Sequence, residues 1–217
     1  MKLYHLYVSG ILYGKLNFDS HPVSIRKLDI ATGNLLPWEP LSEADNNFYK
    51  SFTKIDLLKL SSQFSNYEQS LTGSGEICAS LPEGDERYTS EDGSWYLQRD
   101  IKFPNNKLME HGSLIAVCCS AREMISLLVR EGDEDKTVLS MWKETWPNET
   151  IYGVRHEGTF DVAMRDGVHL STDVYLPEGI TEPVPAVFVR TPYGKEDGCE
   201  IYYRYVQRGY AVVIQDV

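Results

Sequence analysis

Up to about residue 150, short apolar runs rich in Tyr, Ile, Val and Leu alternate with Gly, Pro, Asn and Asp punctuation. This pattern predicts strands joined by tight turns. The strand candidates are Tyr4–Leu16, Val23–Ile30, Trp95–Phe103, Leu114–Ser120 and Ile125–Arg130. Between Leu28 and Pro37, Ala31-Thr32-Gly33-Asn34 separates two apolar runs, so a reversal of the chain is expected there. One segment departs from the β pattern. In Thr53–Phe64 the apolar residues Leu57, Leu60 and Phe64 fit a short amphipathic helix, and Leu58 and Leu60 fit a strand; the helix is the reading adopted. Pro82–Gly93 is polar, acidic and rich in turn formers, as expected of an exposed loop. Glu131–Thr137 reads as a charged, hairpin-like turn between strand-like runs.

The pattern changes after Trp142–Asn148, which places a boundary near residue 150 between a mainly-β domain, residues 1–150, and a differently built region, residues 151–217. In the latter, alternating runs flank Arg165-Asp166-Gly167, and Asp-Gly between such runs is a strong local hairpin signal. On the second strand Val168, Leu170, Thr172, Val174 and Leu176 share one side, and His169, Ser171, Asp173 and Tyr175 the other. A solvated strand face is the plain expectation for His169 and Asp173. Pro185–Arg190 is continuously apolar up to its Arg, as in a strand buried on both faces of a largely parallel sheet. Glu200–Arg208 suits one or two helical turns, Gly209 sits where the helix would end, and Tyr210–Asp216 reads as a second buried strand. Strand, helix, strand is a crossover unit and predicts an α/β sheet. The expected fold class is therefore mixed, a mainly-β domain followed by the start of an α/β sheet.

Composition narrows the function classes. Of 217 residues, 21 are Lys or Arg and 32 are Asp or Glu, a formal net charge of -11, and no basic cluster is available to track a phosphate backbone. Nucleic acid is not an expected partner. No apolar run reaches the length of a spanning helix, and the start, Met1–Tyr7, is too polar for a signal peptide, so neither membrane association nor export is expected and a cytoplasmic protein is. Cys78, Cys118, Cys119 and Cys199 have no zinc-site spacing, and of the adjacent pair at most one is expected in a core. No metal, nucleotide or flavin signature is present, so no cofactor is expected.

Met164-Arg165-Asp166-Gly167-Val168, Asp173-Val174-Tyr175-Leu176-Pro177, Arg190-Thr191-Pro192-Tyr193 and Arg208–Asp216 occur in one order. Together they resemble the opening of the CocE/NonD hydrolases, a family that includes cocaine-esterase-like enzymes, X-Pro dipeptidyl-peptidases and glutaryl acylases. The resemblance implies an α/β-hydrolase core in which a Ser-His-Asp triad attacks an ester or amide carbonyl of a small molecule or peptide. It also implies that Tyr193 is an oxyanion-hole donor, since the family places a Tyr hydroxyl in the loop after an early strand. A phenol on a Pro-stiffened loop at the carboxyl end of a strand suits that role.

The nucleophile of this fold sits in a Gly-x-Ser-x-Gly elbow, and the sequence contains none. Gly73-Ser74-Gly75, Gly93-Ser94-Trp95 and Gly112-Ser113-Leu114 lack the spacing. The triad is therefore expected beyond Val217, and the chain alone is expected not to catalyse. On this reading residues 1–150 shape a substrate entrance or an oligomer contact. The alternative is a non-catalytic binding or interaction module, or the remnant of a disrupted gene.

Overall fold

The computed structural model describes residues 2–67, 75–81, 84–91, 94–97, 106–110, 112–121, 124–145 and 150–217. They form two compact units, one from residues 1–27 and 37–147 and the other from residues 28–36 and 148–217.

In the first unit the elements are β1 (Leu3–Val8), β2 (Ile11–Asn17), β3 (Ser24–Lys27), β4 (Glu39–Pro40), α1 (Glu43–Thr53), α2 (Leu57–Tyr67), β5 (Glu76–Leu81), β6 (Gly84–Glu91), β7 (Ser94–Leu97), β8 (Asn106–Glu110), β9 (Ser113–Ala121), β10 (Met124–Arg130) and α3 (Leu139–Thr145). Among the described residues the strands form one sheet in the order β4-β3-β2-β1-β10-β9-β8-β7-β6-β5. Tyr4 and Tyr7 lie an odd number of residues apart on β1 and so face opposite sides. Tyr4 packs with Phe18 and with Phe64 of α2. Tyr7 joins Leu108, Ile115, Leu127, Val129 and, from α3, Leu139 and Trp142. Helices thus cover the sheet on both sides.

Several expectations change here. Tyr4–Leu16 is two strands, because Ser9 and Gly10 turn with positive φ (48° and 83°). Helix α1 is absent from the sequence reading; it starts from a capping box in which Ser42 accepts from the Asp45 amide and Asp45 accepts from that of Ser42. The helix expected over Thr53–Phe64 is α2, shifted toward Tyr67. The loop expected over Pro82–Gly93 is instead mostly the strand β6, whose half-buried and buried inward positions, Glu86 and Tyr88, bond to each other. A strand that buries a polar network carries no apolar alternation to read. After Gly132 a 3-10 turn, Glu134–Lys136, leads into α3 rather than into another strand. Of Trp95–Phe103, β7 covers the beginning, and residues 98–103 lie outside the described residues. Cys118 is buried with its thiol pushed up to about 12 by burial, first, and by Cys119, whereas Cys119 is only partly covered.

The second unit contains β11 (Val154–Ala163), β12 (His169–Pro177), β13 (Ala186–Thr191), α4 (Glu200–Val206) and β14 (Ala211–Asp216). Its sheet runs β11-β12-β14-β13, antiparallel except that β13 and β14 are parallel, in register from Ala186↔Ala211 to Thr191↔Asp216. The β11–β12 hairpin turns at Gly167 (φ +86°), where Met164 donates to Val168. Helix α4 buries Val206 against Tyr175, Val212 and Ile214, with Val187 and Val189 packed around them. Only one face of β13 is covered among the described residues. Phe188 is 56% exposed, so the expectation of a strand buried on both faces fails at this edge of the sheet.

Residues 28–36 belong to this unit through their reversal. Asp29 donates to Asn34, Gly33 takes φ +75°, and Val154 donates to Ile30. A Cβ on Gly153 would stand 2.0 Å from the Ala31 carbonyl oxygen. Gly153→Ala is therefore expected to cost about 2 kcal/mol, the range of overpacking against backbone that cannot yield cheaply. The readout is a lower urea midpoint; an unchanged midpoint would show that this approach is not close in solution.

Candidate active-site loop

Strand β13 ends at Thr191, and the loop that follows carries Pro192, Tyr193, Gly194 and Lys195 before α4 begins. Pro192 fixes φ, and the Tyr193 amide donates to Thr191 Oγ1 at 3.1 Å, which ties the first bend to the strand end. Val217 donates to the Thr191 carbonyl, so the strand end from which the loop springs is tied to the chain just past β14. Tyr193 is 84% exposed, and its hydroxyl has no partner among the described residues. Gly194 has φ +92°, a conformation that glycine adopts without strain.

Lys195 turns the other way. It is 9% exposed, and its Nζ lies 3.2 Å from Asp173 Oδ2. Asp173, in the middle of β12, is buried, which corrects the expectation of a solvated face; His169, on the same side of the strand, is exposed as expected. Asp173 Oδ1 accepts from Thr159 Oγ1 at 2.5 Å, and His156 Nε2 stands 3.7 Å from the same oxygen with its ring stacked on Tyr175. Burial works against the Asp173 charge, but the Thr159 hydroxyl and the Lys195 ammonium outweigh it and hold the carboxyl below its ordinary range. Burial likewise opposes the Lys195 charge, and Asp173, Glu196 and Asp216 overcome it, raising the ammonium.

The Thr159 hydroxyl donates to a carboxylate rather than to an imidazole, so Thr159, Asp173 and His156 do not form an activated nucleophile. A second line of side chains crosses the sheet. Arg190 Nε donates to Gln215 Oε1 at 2.9 Å, and Gln215 Nε2 donates to Thr172 Oγ1 at 2.8 Å, linking β13, β14 and β12. Two of the sequence phrases, Arg190–Tyr193 and Arg208–Asp216, meet directly in these contacts, and a third contributes Asp173. The sequence reading singled out Tyr193 and missed Lys195 with its partner Asp173. Their signal was a Lys two residues after Tyr193 and an Asp at the head of another phrase. Among the described residues no group of three or more His, Cys, Asp or Glu is placed to hold a metal ion. Nor is any helix among them long and apolar enough to cross a membrane.

Residues 166–217 match the X-Pro dipeptidyl-peptidase (S15) family, so this segment is similar to the opening of CocE/NonD-type serine hydrolases. Among curated proteins it is similar to the cocaine esterase of Rhodococcus sp. (strain MB1 Bresler), with 46% identity over 61 residues. That match covers 25% of this chain and 10% of the esterase, so the chain spans a small part of its relative. A solved structure from work on two prolyl endopeptidases aligns over 93% of this chain and 29% of its own, with 8% identity and a TM-score of 0.21.

Proposed function

We propose that this chain is the N-terminal part of a cytoplasmic serine hydrolase acting on ester or amide bonds of a small molecule or peptide. On this reading residues 151–217 open an α/β-hydrolase sheet, residues 1–150, apart from the 28–36 segment that belongs to the second unit, form a mainly-β accessory domain, and the Ser-His-Asp triad comes from chain beyond Val217. The observation that carries the reading is the unpartnered Tyr193 hydroxyl at the carboxyl end of β13, the parallel partner of β14, inside the family-matched segment.

In the reaction the serine oxygen bonds to the acyl carbon, and the carbonyl π pair moves onto oxygen. The imidazole takes the serine proton and passes it to the departing alcohol or amine. Tyr193 donates its O–H to the oxyanion and remains a phenol throughout.

The test compares two products. The 217-residue chain, given a chromogenic acyl ester, should show background turnover only and no labelling by a fluorophosphonate. The same frame read past Val217 should yield a protein that hydrolyses the ester and takes the label. Saturable hydrolysis by the short chain, abolished by the fluorophosphonate, would overturn the claim that the nucleophile lies outside it. An extended product without label would leave a binding module as the better account.

A further inference from the structure

Within a single loop, side chains close in sequence point in opposed directions: Tyr193 is 84% exposed, Lys195 is 9% exposed and the Glu196 side chain is 89% exposed. We propose that Lys195 is a positioning residue, whose ion pair with Asp173 holds the loop between β13 and α4 so that the Tyr193 hydroxyl stays at the carboxyl end of the sheet. This rests on the reading of Tyr193 as the oxyanion donor. Upstream of Tyr193, the Thr191 hydroxyl accepts from its amide; downstream, Lys195 reaches Asp173 Oδ2 at 3.2 Å. The loop is thus tied on both sides of the phenol.

The anchor is itself fixed. Asp173 pairs in register with Thr159 of β11 on one side and Ile214 of β14 on the other, and Thr159 Oγ1 occupies its second oxygen. A buried ion pair contributes little net stability compared with well-packed apolar residues, because desolvating both charges offsets their attraction. What it supplies is direction. The Lys195 ammonium has one strong acceptor in the sheet, and the bend at Gly194 sends Tyr193 outward while Lys195 goes in. An apolar side chain at position 195 could bury itself without choosing a single loop geometry.

The test uses the 217-residue chain carrying 3-fluorotyrosine, with the Tyr193 fluorine resonance assigned by its loss in Tyr193→Phe. Lys195→Met should shift and broaden that resonance while those of Tyr4, Tyr13 and Tyr49 stay in place. Lys195→Arg should largely restore it. Asp173→Asn, which keeps the volume and the acceptor for Thr159, should reproduce the Met variant and provides a second route if Lys195→Met does not fold. An unmoved Tyr193 resonance in either folded variant overturns the inference.

In the catalytic product, Lys195→Met should lower kcat by about 10-fold or more with little change in KM, as misplacing one donor does. If Tyr193→Phe leaves kcat intact while Lys195→Met moves the resonance, the oxyanion reading fails and the anchoring stands. If Tyr193→Phe lowers kcat and Lys195→Met changes neither resonance nor kcat, the anchoring alone fails.

Discussion

If the proposed function holds, Tyr193→Phe in a product extended to the Ser-His-Asp triad is expected to lower kcat by about 10²–10³-fold with KM nearly unchanged, the loss that follows removal of one oxyanion donor. The substitution removes one hydroxyl and keeps the ring. Because Tyr193 is 84% exposed and its hydroxyl has no partner among the described residues, no buried group loses a hydrogen bond. Surface changes of this kind usually alter stability by no more than about 0.5 kcal/mol, so a fall in kcat would report transition-state stabilisation rather than unfolding. Charge builds on the carbonyl oxygen only as the serine bond forms, which is why the loss belongs in kcat. Steady-state kinetics on an acyl ester, with urea midpoints of both proteins as control, decides the matter. Equal kcat values at equal stability would remove Tyr193 from the oxyanion hole. A raised KM at constant kcat would make it a contact of the bound substrate instead.

Where local chemistry alone decides the backbone, the sequence was legible. Asp166-Gly167 turns a hairpin because glycine takes φ +86° there, and Gly209, at φ +91° just past α4, ends the helix. Apolar β14 sits against α4 in parallel with β13, as a strand-helix-strand reading expects. Legibility failed where a distant partner sets the environment. Asp173 looks like any polar strand residue until Lys195 and Thr159 are brought to it. Gly84–Glu91 looks like a loop because its inward positions carry Glu86 and Tyr88, whose partners come from α2 and β8. Residues 28–36 read as a local reversal, and nothing in them says that they build the second unit; the close approach of Gly153 to Ala31 is a property of the fold. At Tyr193 the residue type and loop were legible, and the inward turn of its neighbour was not.

The same kind of polar network predicts the largest stability effect in the first unit. Lys107 Nζ lies 2.7 Å from Glu86 Oε1 and 2.8 Å from the Tyr67 hydroxyl, while Tyr67 and Tyr88 both donate to Glu86 Oε2, at 3.1 and 2.7 Å. The two charged side chains are largely covered, 12% and 18% exposed. Burial pushes the Glu86 carboxyl up, but Lys107 and the two phenols outweigh it, and the folded value lies below the ordinary one. A depressed carboxyl stabilises the fold above its unfolded pKa of about 4.3, and that stabilisation fades as pH falls through the lower folded value. Lys107→Met removes the main opposing charge and leaves burial dominant. Glu86 is then expected to titrate higher than it does beside the lysine, and the variant is penalised at neutral pH but relieved on protonation. The expected loss is about 3–4 kcal/mol at pH 7, as for a buried pair stripped of one partner, shrinking steadily toward pH 4. Urea midpoints of both proteins across that range measure it. Glu86→Gln added to Lys107→Met should recover most of the loss, because the amide oxygen still accepts from the phenols without a charge to bury. A penalty equal at pH 7 and pH 4 would mean that the lysine acts through its ammonium over the Tyr67 ring rather than through the Glu86 carboxylate.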